Sequence, residues 1–111
     1  MLQIESQGAV EVITPQLALN LEHVGQLQDA IAERSVAGQP MVVLDMSQVP
    51  LIDSAGLETL LDIQQTLRQS CGTLKLSGLT QLCQDILRVT GLSEQFETYD
   101  DTSSAVGSFV R

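Results

Sequence analysis

A chain of 111 residues has room for one modest core and no second domain. At 43% hydrophobic it is not a disordered chain, and at 3% aromatic its core has to be aliphatic. A net charge of −9 argues against nucleic acid and anionic membrane, which attract basic patches, and favours a partner with a basic surface.

Leu2 to Glu5 and Ala9 to Ile13 read as two short strands, with Ser6-Gln7-Gly8 as the hairpin turn. Thr14-Pro15 ends the second. Asn20 is a cap for a first helix that runs to about Ser35. Leu21, Val24, Leu27 and Ile31 form its apolar face, and Glu22, Gln26, Asp29 and Glu33 its polar one. Ala37-Gly38-Gln39-Pro40 turns the chain into Met41-Val42-Val43-Leu44-Asp45-Met46, an almost unbroken apolar run of strand length. Such a run suggests a strand covered on both faces. After the loop Ser47 to Ile52, Asp53-Ser54-Ala55-Gly56-Leu57 opens a long amphipathic helix. Leu60, Ile63 and Leu67 mark its buried face, with Leu57 and Leu61 beside them; Glu58, Asp62, Gln65 and Gln69 make the polar stripe.

Ser70-Cys71-Gly72 stops that helix, with Gly72 near the cap. Thr73 to Ser77 alternates and reads as a strand with one wetter face. Gly78 and Thr80 introduce a third helix with Leu82, Ile86 and Val89 at helical spacing, closed by Gly91 and the apolar contact of Leu92. Phe96 to Tyr99 is a weak last strand. Asp100-Asp101-Thr102 can cap a final helix with Ala105, Val106, Phe109 and Val110 on one side. Strands alternating with helices imply an α/β fold, mainly parallel, with an antiparallel strand at the start and about four helices.

The chemistry concentrates at Ser54. It stands at the first turn of a helix, on the C-terminal side of a central strand. The free N–H groups and the positive dipole end there would stabilise a phosphate on Ser54. Gly56 is a poor helix former, so another backbone or a partner comes close to it. The plainer reading is a simple Asp53 or Ser54 cap; the third helical positions hold Gly56 and Leu57, so the full capping box is absent.

The motif Asp53-Ser54-Ala55-Gly56-Leu57 stands in a wider order. A strand precedes it; a helix, Gly72-Thr73-Leu74-Lys75-Leu76 and Leu87-Arg88-Val89-Thr90-Gly91-Leu92 follow. In this the chain resembles the STAS domain family, whose small members include bacterial anti-sigma factor antagonists. The resemblance implies one small domain over 1–111, a mixed and mainly parallel sheet, and the Ser54 loop exposed at one end. It also implies a protein-binding switch rather than an enzyme. Unmodified, the protein would bind an anti-sigma factor with serine kinase activity through Asp53, Ser54, Ala55, Gly56, Glu58 and Asp62. Phosphorylation of Ser54 would release it, and a phosphatase would reset it. The partner, not this chain, would bring ATP and Mg²⁺.

This chain departs from the family at three places. Pro15-Gln16-Leu17-Ala18 replaces a Gly-x-Leu-Asp turn, with Ala18 where a partner-facing Asp is common. Ala55 replaces a second hydroxyl. Glu58 replaces a Gly and lies four residues after Ser54, where it would repel a phosphate modestly. A STAS scaffold that serves a transporter or signalling assembly without being phosphorylated therefore stays open as an alternative.

Other chemistries fit less well. A serine hydrolase needs G-x-S-x-G; Ile52 stands where the first Gly should, and the only His, His23, precedes the Ser. Neither a P-loop nor a G-x-G-x-x-G fingerprint is present, which argues against a nucleotide enzyme. A receiver-like phospho-acceptor domain is a more distant alternative. Asp45 ends a suitable strand, but no acid pair follows Ala9 to Ile13 to hold Mg²⁺, so Asp45 reads as a polar residue closing a buried strand. No metal or cofactor is expected. His23 lacks companion ligands, and Cys71 and Cys83 read as reduced packing thiols. No apolar run reaches the ~20 residues of a membrane span, and Met1-Leu2-Gln3-Ile4-Glu5 lacks the pattern of a signal peptide, so a cytoplasmic protein is expected.

Overall fold

The strand Met41–Asp45 is the centre of the molecule: Val42, Val43 and Leu44 are all fully buried, although neighbouring residues point to opposite faces. Both faces of the sheet must therefore be covered. The structure, a computed structural model, describes residues 2–34 and 38–110. In chain order it has β1 (Leu2–Gln7), β2 (Val10–Pro15), α1 (Val24–Arg34), β3 (Met41–Asp45), α2 (Ser54–Gln69), β4 (Thr73–Ser77), α3 (Gln81–Val89), β5 (Glu97–Tyr99) and α4 (Thr102–Gly107). Short 3-10 turns occupy Ser93–Gln95 and Ser108–Val110.

Strand order in the sheet is the order in the chain, β1-β2-β3-β4-β5. β1 and β2 are antiparallel and the other pairs parallel, as the alternation of strands and helices suggested. Helices α1, α2 and α3 share one core with Ile13, Val42, Leu44, Leu74 and Leu76. α4 lies on the opposite face, where Ala105 joins Val10, Val12 and Val43. The polar stripe of α2 is assigned correctly: Leu60 and Leu67 are fully buried, while Glu58, Asp62, Gln65 and Gln69 are exposed.

Several expectations need correction. The hairpin strands are longer than the sequence suggests. Gln7 pairs with Val10, so the turn is Gly8-Ala9 and Ser6-Gln7 belong to β1. Asn20 caps as expected: its Oδ1 accepts from the amides of Glu22 and His23, both at 3.1 Å. Residues 21–23 then form a turn and the helix begins at Val24, which leaves Leu21 80% exposed rather than on the apolar face. Ser35 and Ala37 lie outside the described residues, as does the side chain of Val110.

The face of α3 is also different. Cys83 and Leu87 are its buried residues, whereas Leu82 and Val89 are exposed and Ile86 is half-buried. Two apolar stripes compete on this helix, roughly 100° apart. The ends decide between them: Thr80 caps through Oγ1, and Leu79 and Leu92 on either side of the helix pack against the core. The expected wetter face of β4 is covered instead by α4, and Lys75 is buried beneath it. At α4 itself the cap is Asp101, whose Oδ1 accepts from the Ser104 amide at 2.7 Å. That bond and the Ser104 side chain lower the carboxyl pKa from 3.8. The cap is thus present above the unfolded value and is lost as pH falls through the lowered one.

The two helix ends facing the N-terminal edge of the sheet repeat one motif with different residues. At α3, Leu92 N–H donates to the Leu87 carbonyl and Gly91 N–H to Arg88, with Gly91 left-handed at φ 76°. At α2, Gly72 N–H donates to Leu67 and Cys71 N–H to Arg68. Here the left-handed residue is Cys71, at φ 58°, not Gly72. Gly72 serves another constraint: a β-carbon there would lie 2.5 Å from the Pro40 carbonyl oxygen. Of the two thiols, only Cys83 packs in the core, where its Sγ donates to the Val49 carbonyl at 3.4 Å; Cys71 is exposed.

Two variants check this packing by denaturant unfolding. Leu60→Ala should cost about 2–5 kcal/mol, as deletions in aliphatic cores do; a loss of a few tenths would mean α2 is turned differently. Cys71→Gly should stabilise by about 0.5–1 kcal/mol, the left-handed penalty of roughly 1–2 less the extra chain entropy of glycine.

Candidate functional site

Ser54 is the first residue of α2 and is exposed. The preceding Asp53 is extended, with φ −94° and ψ −173°, and its Oδ1 accepts from the Gly56 amide at 2.9 Å. Its carbonyl accepts from Leu57 N–H at 2.9 Å. Asp53 therefore does the capping, and the Ser54 side chain is left at the surface. The remaining first-turn amides lack intrahelical partners, so the positive end of the helix lies under the hydroxyl.

The loop that carries Asp53 is held at both ends. At its start, Met46 N–H donates to the Ser77 carbonyl at 2.8 Å and Ser47 N–H to Asp45 Oδ1 at 3.0 Å. Asp45 thus closes a strand and starts a turn. At its finish, Leu19 N–H donates to the Leu51 carbonyl at 3.1 Å and Asp53 N–H to the Leu19 carbonyl at 3.0 Å, a single parallel bridge between Leu19 and Ile52. Gly56 completes this contact. A β-carbon there would run into the Leu19 carbonyl oxygen and lie 2.8 Å from Ile52 Cγ2. The close backbone that its glycine implied is that of Leu19.

The six residues singled out in the sequence lie along the cap and roughly the first two and a half turns of α2, in different environments. Ser54, Glu58 and Asp62 are exposed, Asp53 and Ala55 half-buried, and Gly56 buried. Gly56 thus positions the loop and offers no surface of its own. Ala18, at the departing turn, is half-buried; His23 Nδ1 lies 3.1 Å from its carbonyl and donates to it. His23 precedes α1 rather than sitting within it, and its role is to hold this turn.

Sequence reasoning missed the exposed apolar residues of the two bridged segments. Leu17 and Leu51 are each 41% exposed, and Leu21 more so. Because Leu19 pairs with Ile52, Leu17 and Leu21 fall on either side of the bridge that borders Leu51 and Asp53. The available signal was position: Leu17 and Leu51 lie in loops outside any helical or strand period, where nothing implies a packing partner. Among the described residues no group of three or more His, Cys, Asp or Glu side chains could hold a metal ion. Two grooves of about 340 and 330 Å³ lie elsewhere, one beside Arg88 and Tyr99 and one beside Arg68 and Glu97.

A five-stranded mixed sheet, with an exposed Asp-Ser pair opening the helix after its central strand, can be compared with known proteins. The STAS domain model matches residues 1–105. The chain belongs to the STAS domain family. It is 29% identical over 91 residues to BtrV of Bordetella bronchiseptica, a candidate anti-sigma factor antagonist, covering 82% of this chain and 78% of that one. A crystal structure of a candidate anti-sigma factor antagonist from Thermotoga maritima superimposes with a TM-score of 0.90 at 23% identity, over 99% of this chain and 95% of that one. The anti-sigma factor antagonist SpoIIAA, in its unphosphorylated form, gives 0.81 at 17% identity over 98% and 96% of the two chains. The Bacillus cell fate determinant SpoIIAA in its phosphorylated form gives 0.74 at 17%, over 98% and 99%. The STAS fold and the likeness to anti-sigma factor antagonists are thus established. No described helix is long and apolar enough to cross a membrane.

Gly56→Ala tests the clamp. The methyl group gains roughly 1 kcal/mol of helix propensity but meets rigid backbone, so a net loss of about 1–3 kcal/mol is expected. NMR should show the largest amide shifts at Leu19 and Asp53; shifts confined to α2 would mean the two segments are not in contact.

Proposed function

We propose that this STAS domain is a phosphorylation-controlled binding protein of the anti-sigma factor antagonist type, and not an enzyme. The observation that carries the reading is the exposure of the Ser54 hydroxyl at a helix N-terminus while Asp53 alone does the capping. A kinase could reach that oxygen, and a phosphate there would sit over free N–H groups without unfolding anything. In this reading the unmodified protein binds an anti-sigma factor with serine kinase activity in the cytoplasm. The contact centres on Leu17, Leu21, Leu51 and Ser54 and is rimmed by Glu22, Glu58 and Asp62, all of them exposed. Such a surface suits a partner with an apolar centre and basic edges.

Phosphorylation would add about −1.5 to −2 charges at neutral pH in the middle of this contact. Glu58, one helical turn on, already makes the region acidic. Release would follow from a desolvated, unmatched charge and from the bulk of the phosphate, with the loop clamp intact. The phosphorylated state is then a surface change rather than a change of fold. A phosphatase would restore binding.

The test compares wild type, Ser54→Ala and Ser54→Asp against a partner first identified by pull-down from the native cell. Ser54→Ala should keep the fold, because Asp53 provides the cap, should bind nearly as well as wild type, and should take up no phosphate from ATP and partner. Ser54→Asp should bind more weakly, although one carboxylate carries less charge than a phosphate. Phosphate found only on another residue by mass spectrometry would overturn Ser54 as the switch, and no phosphate at all, or undiminished binding by Ser54→Asp, would replace the switch with a scaffold.

A further inference from the structure

The second face of the sheet is closed by a small cover with a cation under it. Thr102–Gly107 and the turn Ser108–Val110 cover Val10, Val12 and Val43, and Ala105 is the helix's buried residue. A six-residue helix is too short to persist by itself, so it holds only by docking. Beneath it Lys75 is 7% exposed. Its ammonium donates to Ser108 Oγ at 2.5 Å and lies 4.1 Å from the centre of the Phe109 ring and 5.5 Å from that of Tyr99. It also lies 3.5 Å from the carboxylate of Glu97, whose side chain is 59% exposed.

These four partners divide into two sets. Ser108 and Phe109 belong to the cover, Glu97 and Tyr99 to β5. If the cover lifts, Lys75 keeps its β5 partners and regains water. Part of the lost contact is thereby offset by rehydration, a compensation that no apolar side chain at this position would have. The core on the other face of the sheet, where α1, α2 and α3 pack, contains no residue of the cover.

We infer that residues 102–110 form a detachable cover, which opens as a unit while the remaining fold stays closed, and that the buried ammonium of Lys75 sets how readily it opens. Opening bares an apolar strip of Val10, Val12 and Val43. It also breaks the hydrogen bond between the Ser77 and Thr102 hydroxyls, 2.9 Å long, next to the Ser77 carbonyl that holds Met46.

Amide hydrogen exchange on the whole chain tests this, followed by NMR at increasing sub-denaturing urea. The reporters are the amides of Ala105 and Ser108, bonded to Asp101 and Ser104, and those of Val42 to Leu44 in β3. The cover amides should exchange faster than β3 and with a weaker dependence on urea, as local openings do. Lys75→Met should slow their exchange roughly tenfold or more. That substitution strands nothing: Glu97 is solvated, the Ser108 hydroxyl keeps its bond to the Ala105 carbonyl, and the thioether meets two rings. Phe109→Ala, which leaves β4 untouched, should speed it. Exchange of the cover at the rate and urea dependence of β3 would overturn the inference. So would faster exchange in Lys75→Met, or no change in Phe109→Ala.

Discussion

The pair of backbone hydrogen bonds between Leu19 and the residues on either side of Ile52 fixes where Ser54 stands. Without it, the loop from Met46 to Asp53 would be held at its strand end and at Val49 but not at the turn into α2, and Asp53 could cap the helix over a wider range of loop shapes. With it, the end of β2, the loop after β3 and the first turn of α2 become one rigid corner. Gly56 is part of the same constraint, because the Leu19 carbonyl sits where any larger residue would place its side chain. A helix-weakening residue in the first turn is therefore a consequence of tertiary packing.

That corner separates two tasks which a single serine could not perform together. An N-cap serine uses its hydroxyl as a hydrogen-bond acceptor for its own helix. Here Asp53 accepts the Gly56 amide, and the serine one position later is released from structural duty. Modifying it perturbs charge and shape at the surface while the helix keeps its cap.

Much of the architecture was legible because its signals are periodic. The apolar run of β3 read as a strand buried on both sides, and the three-four spacing in α2 fixed its inward face. The Asp53-Ser54 motif located the start of α2, since its neighbours in sequence are its neighbours in space. What stayed hidden depends on contacts between distant segments. Leu21 fits the helical period of α1, but the Asn20 turn removes it from the helix and leaves it on the surface. The third helix carries two apolar stripes, and only the anchoring of Leu79 and Leu92 selects the one with Cys83 and Leu87. Lys75 looked like the sign of a wet face, because no local rule says that a helix nearly thirty residues later will cover it. In the same way, Gly72 marked the end of α2 correctly, for a reason that lay at Pro40.

Strand order that follows chain order has a consequence during synthesis. Each new strand of this sheet finds its partner already made, because β2 lies beside β1, β3 beside β2, and so on to β5. The growing chain can therefore assemble progressively from its N-terminal hairpin, one βα unit at a time, without waiting for a distant strand. Each arriving helix, α1 to α3, covers the first face as it comes. The second face has no such schedule: Val10, Val12 and Val43 stay bare until Ala105 has been made. Until then Lys75 stands on that side at the middle of β4, where an ammonium discourages another sheet from settling on the uncovered face.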